Sequence, residues 1–180
     1  MEAKPLLIRC ISHEDIDAFR RIRLEALACE PASFASPFED WERLSDGDWQ
    51  QRLQDHVFIA FSDDEPVGIM GLSRLRPKKM AHRATLVMVY VRKRFRGTGL
   101  SRKLLGAVID FAKAKGILQI ELGVSAENLE ALRFYRRNGF TDIGLNPRGV
   151  LDEGRAVDEV RMPRLFNEYP RHCQSGSLSR

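Results

Sequence analysis

Two glycines lie between an apolar run and an amphipathic helical pattern, in the segment Arg96-Gly97-Thr98-Gly99-Leu100-Ser101. Glycine lets the main chain approach a ligand closely, and the first N–H groups of a helix have no partner inside the helix. They lie at the positive end of the helix dipole, where an anion is stabilised. Basic side chains crowd the same stretch: Arg92, Lys93, Arg94, Arg96, Arg102 and Lys103. The segment therefore predicts a polyanion site, with a pyrophosphate as the natural ligand.

Other interpretations of these glycines compete with the pyrophosphate site. A dinucleotide fingerprint does not fit, because Arg102 stands where its third glycine belongs and Glu121 lies within a predicted strand rather than at its end. A P-loop does not fit, because no Gly-Lys-Ser or Gly-Lys-Thr follows the glycines. A simple turn after a strand stays open on this segment alone.

Two motifs together resemble the GNAT superfamily of acetyltransferases. The family signature [QR]-x-x-G-x-[GA] is similar to Arg96–Ser101, with Ser101 in place of the last small residue. The family pattern N-x-x-A-x-x-x-Y-x-x-x-G-F matches Asn128 to Phe140, including Ala131 and Tyr135. Both motifs occur in the family's order, separated by one predicted helix and one predicted strand, which is far more specific than either alone. The resemblance covers about residues 6–166.

The resemblance implies an acetyl-CoA-dependent N-acetyltransferase. In such a protein the strands ending at Val91 and near Val124 splay apart, and the pantetheine arm of the cofactor enters between them. Main-chain groups of the first strand pair with the arm, the glycine loop holds the pyrophosphate, and the asparagine contacts the pantetheine. The implied cofactor-binding residues are Val89, Tyr90, Val91, Arg96, Gly97, Thr98, Gly99, Leu100, Ser101 and Asn128.

Attack of an amine on a thioester requires a neutral amine, a donor for the developing oxyanion and a proton for the leaving sulfur. The resemblance assigns the proton to Tyr135, whose phenol is protonated at neutral pH because its unperturbed pKa is about 10. Without the surrounding motif, this tyrosine would be an ordinary aromatic on a short amphipathic helix. A main-chain N–H near Val89 to Val91 is expected to serve the oxyanion.

The sequence does not identify a general base. Many relatives carry a glutamate on the strand that corresponds to residues 84–91, where this chain has no acid. The remaining candidates, each of which also fits a solvated or structural role, are Glu39, Asp40, His82, Asp158 and Glu159. An α-amine with a pKa of about 8 would need no base, so the missing acid favours such an amine or a water-relayed proton. Acceptor contacts are predicted for Phe38, Glu39 and Glu159, and packing roles for Trp41 and Trp49.

The elements that must position these groups follow from hydrophobic periodicity and turn signals. A capping pattern at Ser12 and Asp15 begins a first helix, and further helices are predicted near Asp46, up to about Lys115, and over 128–137. Strands are predicted at 5–11, 57–61, 67–73, 84–91 and 117–124, with two more in FTDIGL and AVDEVRM. The fold class is therefore α/β, a mixed and mostly antiparallel twisted sheet of six to seven strands flanked by helices, as in the GNAT acyltransferase fold.

Length and composition favour one domain. The chain has 180 residues and 43% hydrophobic content, enough for one core, which we assign to an N-acetyltransferase domain at 6–166 followed by a flexible tail at 167–180. We expect a cytoplasmic protein, because no apolar run has the length of a signal or membrane segment. The three cysteines and four histidines share no metal-ligand spacing, so no metal is expected.

Partners are less determined. Acetyl-CoA and an amine (a small molecule, amino acid, or peptide amine) are the expected substrates, no membrane partner is expected, and the family resemblance implies pairing of two chains through a sheet edge. A catalytically silent CoA sensor of the same fold is an alternative. A nucleic-acid-binding module is the weakest alternative. Phe95 is the one aromatic residue in the basic loop that could stack on a base, and no nucleic-acid recognition motif is present.

Overall fold

The computed structural model describes residues 6–166, so the tail predicted at 167–180 lies outside the described residues. Its helices are α1 (Ile16–Cys29), α2 (Phe38–Glu42), α3 (Asp46–Arg52), α4 (Leu100–Ala114) and α5 (Leu129–Arg137). Its strands are β1 (Leu6–Cys10), β2 (His56–Ser62), β3 (Glu65–Arg74), β4 (Arg83–Val91), β5 (Gln119–Ser125), β6 (Gly144–Asp152) and β7 (Arg155–Leu165). The strands form one seven-stranded sheet in the order β1-β2-β3-β4-β5-β7-β6.

The predicted fold class is confirmed. All neighbouring strands pair antiparallel except β4 and β5, which are parallel and joined through α4. A parallel pair needs such a crossover, whereas antiparallel neighbours can be joined by tight turns. The β2–β3 turn has Asp63 and Asp64 at φ values of +50° and +60°, which is the type I′ geometry that matches strand twist.

Helices cover both faces of the sheet, and the alternation of β2 shows which residues belong to which face. Val57, Ile59 and Phe61 pack with α1, α2 and α3, whereas Phe58 and Ala60 pack with α4 and α5. This alternation is the period of two that a strand imposes on its side chains. The sheet therefore separates two apolar cores, one beneath each layer of helices.

Three predicted elements need correction. The uninterrupted apolar sequence of β4 predicts a strand buried on both faces, and this prediction is wrong, since Thr85, Val87, Met88 and Val89 are half-buried. The strand predicted in FTDIGL begins only at Gly144 and runs to Asp152, because this edge strand is largely exposed and lacks the apolar alternation on which the prediction relied. The segment before Asp46 is rich in proline and serine, which predicts a loop, but it contains the short helix α2.

No helix among the described residues combines the length and the apolar character that a membrane span requires. Over the same residues, no group of three or more histidine, cysteine, aspartate or glutamate side chains is arranged to hold a metal ion.

The end of α4 gives a test of the fold that does not involve the site. The N–H of Gly116 donates to Lys113 O at 3.0 Å, and the N–H of Ile117 donates to Ala112 O at 2.9 Å, which together form a Schellman motif. Gly116 has φ +71°, whereas Gly106 lies within α4 without a positive φ, and a Cβ at either position would meet nothing within 4 Å. The two glycines therefore differ in backbone conformation but not in available space.

We expect Gly116→Ala to lower the free energy of unfolding by about 1 kcal/mol, because alanine is strained in the left-handed region. Gly106→Ala, the matched control, should raise it by about 0.5 to 1 kcal/mol through the better helix propensity of alanine. Urea unfolding of the two variants measures both changes. Equal effects of the two substitutions would contradict the described end of α4.

Candidate active site

The sheet opens between β4 and β5. The two strands pair only at their first residues, Arg83–Thr85 with Gln119–Glu121. Beyond that point β4 continues to pair with β3, and β5 continues to pair with β7. Main-chain groups on the facing edges are therefore left without a neighbouring strand, and a gap widens toward Val91 and Ser125.

A bulge in β4 accompanies this gap. The register between β3 and β4 shifts between Ile69 and Gly71, and Met88 has φ +55°. A Cβ at Gly71 would lie 2.5 Å from Met88 Cε and 2.8 Å from Val87 Cγ2. Glycine thus lets β3 approach the bulged stretch, and the bulge changes the direction of β4 as it leaves β5.

A cavity of about 1110 Å³ lies along the gap. The α4 and α5 layer contributes Gly97, Gly99, Ser101, Asn128 and Tyr135 to its walls, and the opposite layer contributes Arg23, Phe34, Trp41 and Arg52. Val87 to Val91 of β4 and Leu122 to Ser125 of β5 line it between the two layers. Because these layers lie on opposite faces of the sheet, the cavity reaches both faces through the gap.

The glycine loop provides an array of main-chain donors beside this cavity. Gly97 has φ +76°, and Gly99, the N-cap of α4, has φ +87°. Within the described residues, the N–H groups from Gly97 to Arg102 have no hydrogen-bond acceptor. A Cβ at either glycine would meet no other atom within 4 Å, so both glycines border open space. The donors fit an anionic group such as a pyrophosphate, as α4 also directs its positive end there.

Two basic side chains of the loop are already paired with acidic residues of the protein. The Arg92 guanidinium binds Glu25 of α1 through three contacts of 2.7, 2.8 and 3.0 Å. Arg96 donates to Val91 O at 3.0 Å and to Glu30 Oε1 at 2.6 Å. These two arginines therefore fasten the loop to the end of β4 and to α1. Arg102 lines the cavity and forms no ion pair with the described residues.

The asparagine and tyrosine of the second motif lie on the same cavity. Asn128 is the N-cap of α5, and its Oδ1 accepts from Ala131 N at 3.0 Å. The ring of Tyr135 packs edge-on against Phe140 at 5.5 Å, and its side chain is buried. Its hydroxyl has no hydrogen bond to the described residues. The oxygen is not completely enclosed, and Tyr135 lines the cavity, so the hydroxyl remains accessible from it. Burial raises the pKa of Tyr135 well above its ordinary value.

Among the predicted base and acceptor residues, Glu159 is the one that lines the cavity. Its carboxylate lies against Gly123 of β5, where a Cβ would overlap it, and it pairs with Arg161 Nε at 3.2 Å. Asp158 instead accepts from the main-chain N–H of Arg148 at 2.8 Å. Phe38, Glu39, Asp40 and His82 do not line the cavity, and acceptor contact by Phe38 and Glu39 stays a prediction.

Three residues that the layer of α1 to α3 brings to the cavity were not predicted from the sequence: Arg23, Phe34 and Arg52. Arg23 lies within the apolar stripe of α1, next to Ile22 and one turn after Phe19, and is buried with them. A cation inside an otherwise apolar stripe was the available signal. Phe34 and Arg52 carried no comparable signal, because their approach to the cavity depends on how α2 and α3 fold over the sheet.

Comparisons with known proteins find acetyltransferases similar to this chain. The model of the acetyltransferase (GNAT) family matches residues 20–140. An uncharacterized N-acetyltransferase of Methanocaldococcus jannaschii is 26% identical over 77% of this chain, which spans 62% of that relative. A spermidine N(1)-acetyltransferase of Vibrio cholerae is 25% identical over 76% of this chain and 79% of its own length. An L-amino acid N-acetyltransferase of Escherichia coli is 25% identical over 89% of this chain and 98% of its own length.

Solved structures share the fold. An acetyltransferase of the GNAT family from Streptococcus pneumoniae superposes with a TM-score of 0.80 at 25% identity, covering 90% of this chain and 99% of its own. A putative acetyltransferase from Salmonella typhimurium, solved with its cofactor acetyl-CoA, gives a TM-score of 0.78 at 22% identity. The superposition covers 94% of this chain and 99% of that protein.

The glycine loop predicts a specific loss of cofactor binding. Acetyl-CoA should raise the melting temperature of the protein by mass action. Replacing both Gly97 and Gly99 with valine should abolish that increase, because the side chains would project over the donors and the backbone would leave its positive-φ geometry. Thermal unfolding with and without acetyl-CoA measures the effect.

Gly154→Val is the matched control. Gly154 also has a positive φ, +81°, and free space around its Cβ position, but it lies in the β6–β7 turn. This variant should lose stability for the same conformational reason while the increase caused by acetyl-CoA persists. An undiminished increase in the Gly97 and Gly99 double variant would show that the phosphates bind elsewhere.

Proposed function

Because this chain belongs to the acetyltransferase (GNAT) family, we propose that it transfers an acetyl group from acetyl-CoA to a primary amine by direct attack in a ternary complex. One observation carries the proposal. The unpartnered donors of the Gly97 loop, the open edges of β4 and β5, and the Tyr135 hydroxyl all border the same cavity. An anion site, a channel with free main-chain groups and a proton donor are the three features that this reaction requires.

The proposed binding residues divide by the part of the cofactor that they would hold. The N–H groups from Gly97 to Ser101 would bind the pyrophosphate, with Arg96 bracing the loop. Main-chain groups of Val89, Tyr90 and Val91 would pair with the pantetheine arm as a neighbouring strand does. The side chain of Asn128 would contact the arm at the beginning of α5, because only its oxygen is used in the helix cap.

The chemical roles follow from the same walls. When bound, acetyl-CoA supplies an activated acyl group as a thioester. A main-chain N–H at the bulged end of β4 would stabilise the negative charge that develops on the carbonyl oxygen. Tyr135 would donate its proton to the departing sulfur, and burial keeps the phenol neutral until then.

The acceptor side is less specific. The relatives reported above are named for different acceptors, spermidine in one and L-amino acids in another, so family membership leaves the amine open. Glu159 is the acidic candidate on the cavity wall, and we propose that it accepts a hydrogen bond from the incoming amine. No acid on β4 faces the gap, because β4 contains none.

The function is tested by release of the CoA thiol from acetyl-CoA in the presence of a panel of amines, amino acids and peptides. Turnover should occur with at least one class of amine, and mass spectrometry should find the acetylated product. Binding of acetyl-CoA without turnover on any acceptor would instead favour the catalytically silent CoA sensor.

Tyr135→Phe should lower kcat about 100-fold, a typical contribution of a general acid. The ring packing against Phe140 is retained, and no hydrogen bond to the described residues is lost, so folding should be nearly unaffected. Thermal unfolding should show an unchanged increase with acetyl-CoA, while steady-state kinetics show the slower turnover. An undiminished kcat would remove Tyr135 from the mechanism.

The pH dependence should reflect the acceptor rather than Tyr135 below about pH 10. The active form of the phenol is protonated, and a raised pKa keeps it so throughout this range. The rate should therefore rise as the acceptor amine loses its proton and then reach a plateau. A fall in kcat between about pH 8 and 10, absent from Tyr135→Phe, would contradict the buried and protonated phenol.

A further inference from the structure

Among the described residues, Arg23 is the one charged residue that is buried, with 3% of its surface exposed. It lies on α1 among the apolar side chains of Phe19, Ile22 and Ala26. A buried cation is costly unless it is paired or hydrogen-bonded. The partners of Arg23 therefore decide whether it is a structural residue or part of a site.

No anion among the described residues is paired with Arg23. Its Nε and Nη1 atoms are buried without a hydrogen-bond acceptor, and no carboxylate of the described residues lies within ion-pair distance. The guanidinium instead lies over the rings of Trp41 at 4.3 Å and Phe34 at 4.7 Å. Desolvation, and secondarily the nearby Arg52, lowers the pKa of Arg23 to about 10. Arg52 adds a second positive charge, 4.9 Å above the Trp41 ring.

Arg23 and Arg52, with the rings of Phe34 and Trp41, form a cationic corner. This corner faces the proposed reaction site from the other side of the sheet. Arg23, Phe34, Trp41 and Arg52 line the same cavity as the glycine loop and Tyr135. The first group belongs to the layer of α1 to α3, and the second to the layer of α4 and α5. A cofactor bound on the second side leaves the corner of Arg23 for the acceptor, with the gap between β4 and β5 joining the two.

We propose that the acceptor carries a carboxylate on the same molecule as its amine, and that Arg23, assisted by Arg52, binds this carboxylate. This inference rests on the proposed acetyl transfer. A planar guanidinium suits a carboxylate, with which it forms two charge-assisted hydrogen bonds. The stacked rings hold the plane of Arg23 in place before the acceptor arrives. A polyamine without an acid group fits poorly, because its cations would meet two arginines.

The charges near this corner are not all positive. Asp55 also lines the cavity, but it is not in ion-pair contact with Arg23. Glu30 is already bound to Arg96 at 2.6 Å. The unpaired cation at Arg23 therefore has no competing acid from the described residues and remains available to an acceptor carboxylate.

The test compares amino acids with the corresponding amino acid amides, which retain the amine and the side chain but lack the carboxylate. Assays at about pH 8, with each rate divided by the neutral fraction of its amine, correct for the difference in amine pKa while Arg23 stays protonated. The protein should use an acid at least about tenfold better than its amide in kcat/KM, as expected for a lost hydrogen-bonded charge pair. Calorimetry of the CoA-bound protein should show the same preference for N-acetyl amino acids over their amides.

Arg23→Met keeps the side-chain length and removes the charge. It should raise the KM for the acid about tenfold or more, abolish the preference over the amide, and leave the KM for acetyl-CoA unchanged. Arg20→Met is the matched control, because Arg20 also lies on α1 and over a tryptophan, Trp49 at 5.6 Å, but does not line the cavity. That variant should retain the preference. Arg52→Met, at an exposed position, should fold normally and lower the preference by a smaller factor.

Two results would overturn the inference. One is equal use of acids and amides, or better use of polyamines, by the unmodified protein. The other is an acid preference that persists in both Arg23→Met and Arg52→Met. Either result leaves the acetyl transfer itself intact, since turnover would still be observed. Absence of turnover with every amine, combined with no calorimetric preference, would reject the proposed function and this inference together.

Discussion

The separation of β4 from β5 after Thr85 is the constraint on which the rest of the structure depends. A continuous sheet would satisfy every main-chain group on these strands and would divide the two helical layers completely. Here the pairing stops after three residues on each strand, and the bulge at Met88 directs β4 away. The result is a cavity that reaches both faces of the sheet and has free main-chain groups along its edges. The half-buried side chains of β4 are a direct consequence.

Such an opening weakens the sheet unless other contacts hold the separated ends. On one side, Arg92 and Arg96 bind Glu25 and Glu30, so the end of β4 and the glycine loop are fastened to α1. Tyr90 adds a hydrogen bond to Glu25 at 3.0 Å. On the other side, β5 pairs with β7 along its full length. The loop therefore presents its free N–H groups from a fixed position, and its arginines act as braces as well as positive charges.

The two faces of the sheet supply different chemistry to the cavity. The α4 and α5 layer contributes the glycine loop with its unpartnered N–H groups, Asn128 and the buried phenol of Tyr135. The layer of α1 to α3 contributes aromatic rings and Arg23, which has no ion-pair partner among residues 6–166. We propose that this division separates the cofactor from the acceptor, so that each enters from its own face and the two meet in the gap.

The sequence alone determined the features that depend on neighbours along the chain. The glycine loop beside a helix N-terminus, the capping asparagine before α5 and most strands and helices follow from local spacing, because backbone conformation and capping are short-range effects. The bounds of the edge strand β6 could not be predicted, because a largely exposed strand shows no alternation of apolar and polar residues in the sequence.

Only the tertiary structure decided how distant segments share one cavity. It separated β4 from β5, bound Arg92 and Arg96 to acids about 66 residues away in the chain, and brought Glu159 to the cavity wall. It also left Arg23 buried without an anion from the part of the chain that the structure describes. No local pattern encodes these results, because they depend on which side chains meet when both helical layers pack against the sheet. For that reason the glycine loop could be recognised from the sequence, whereas the arginines and aromatic rings on the opposite cavity wall became visible only in three dimensions.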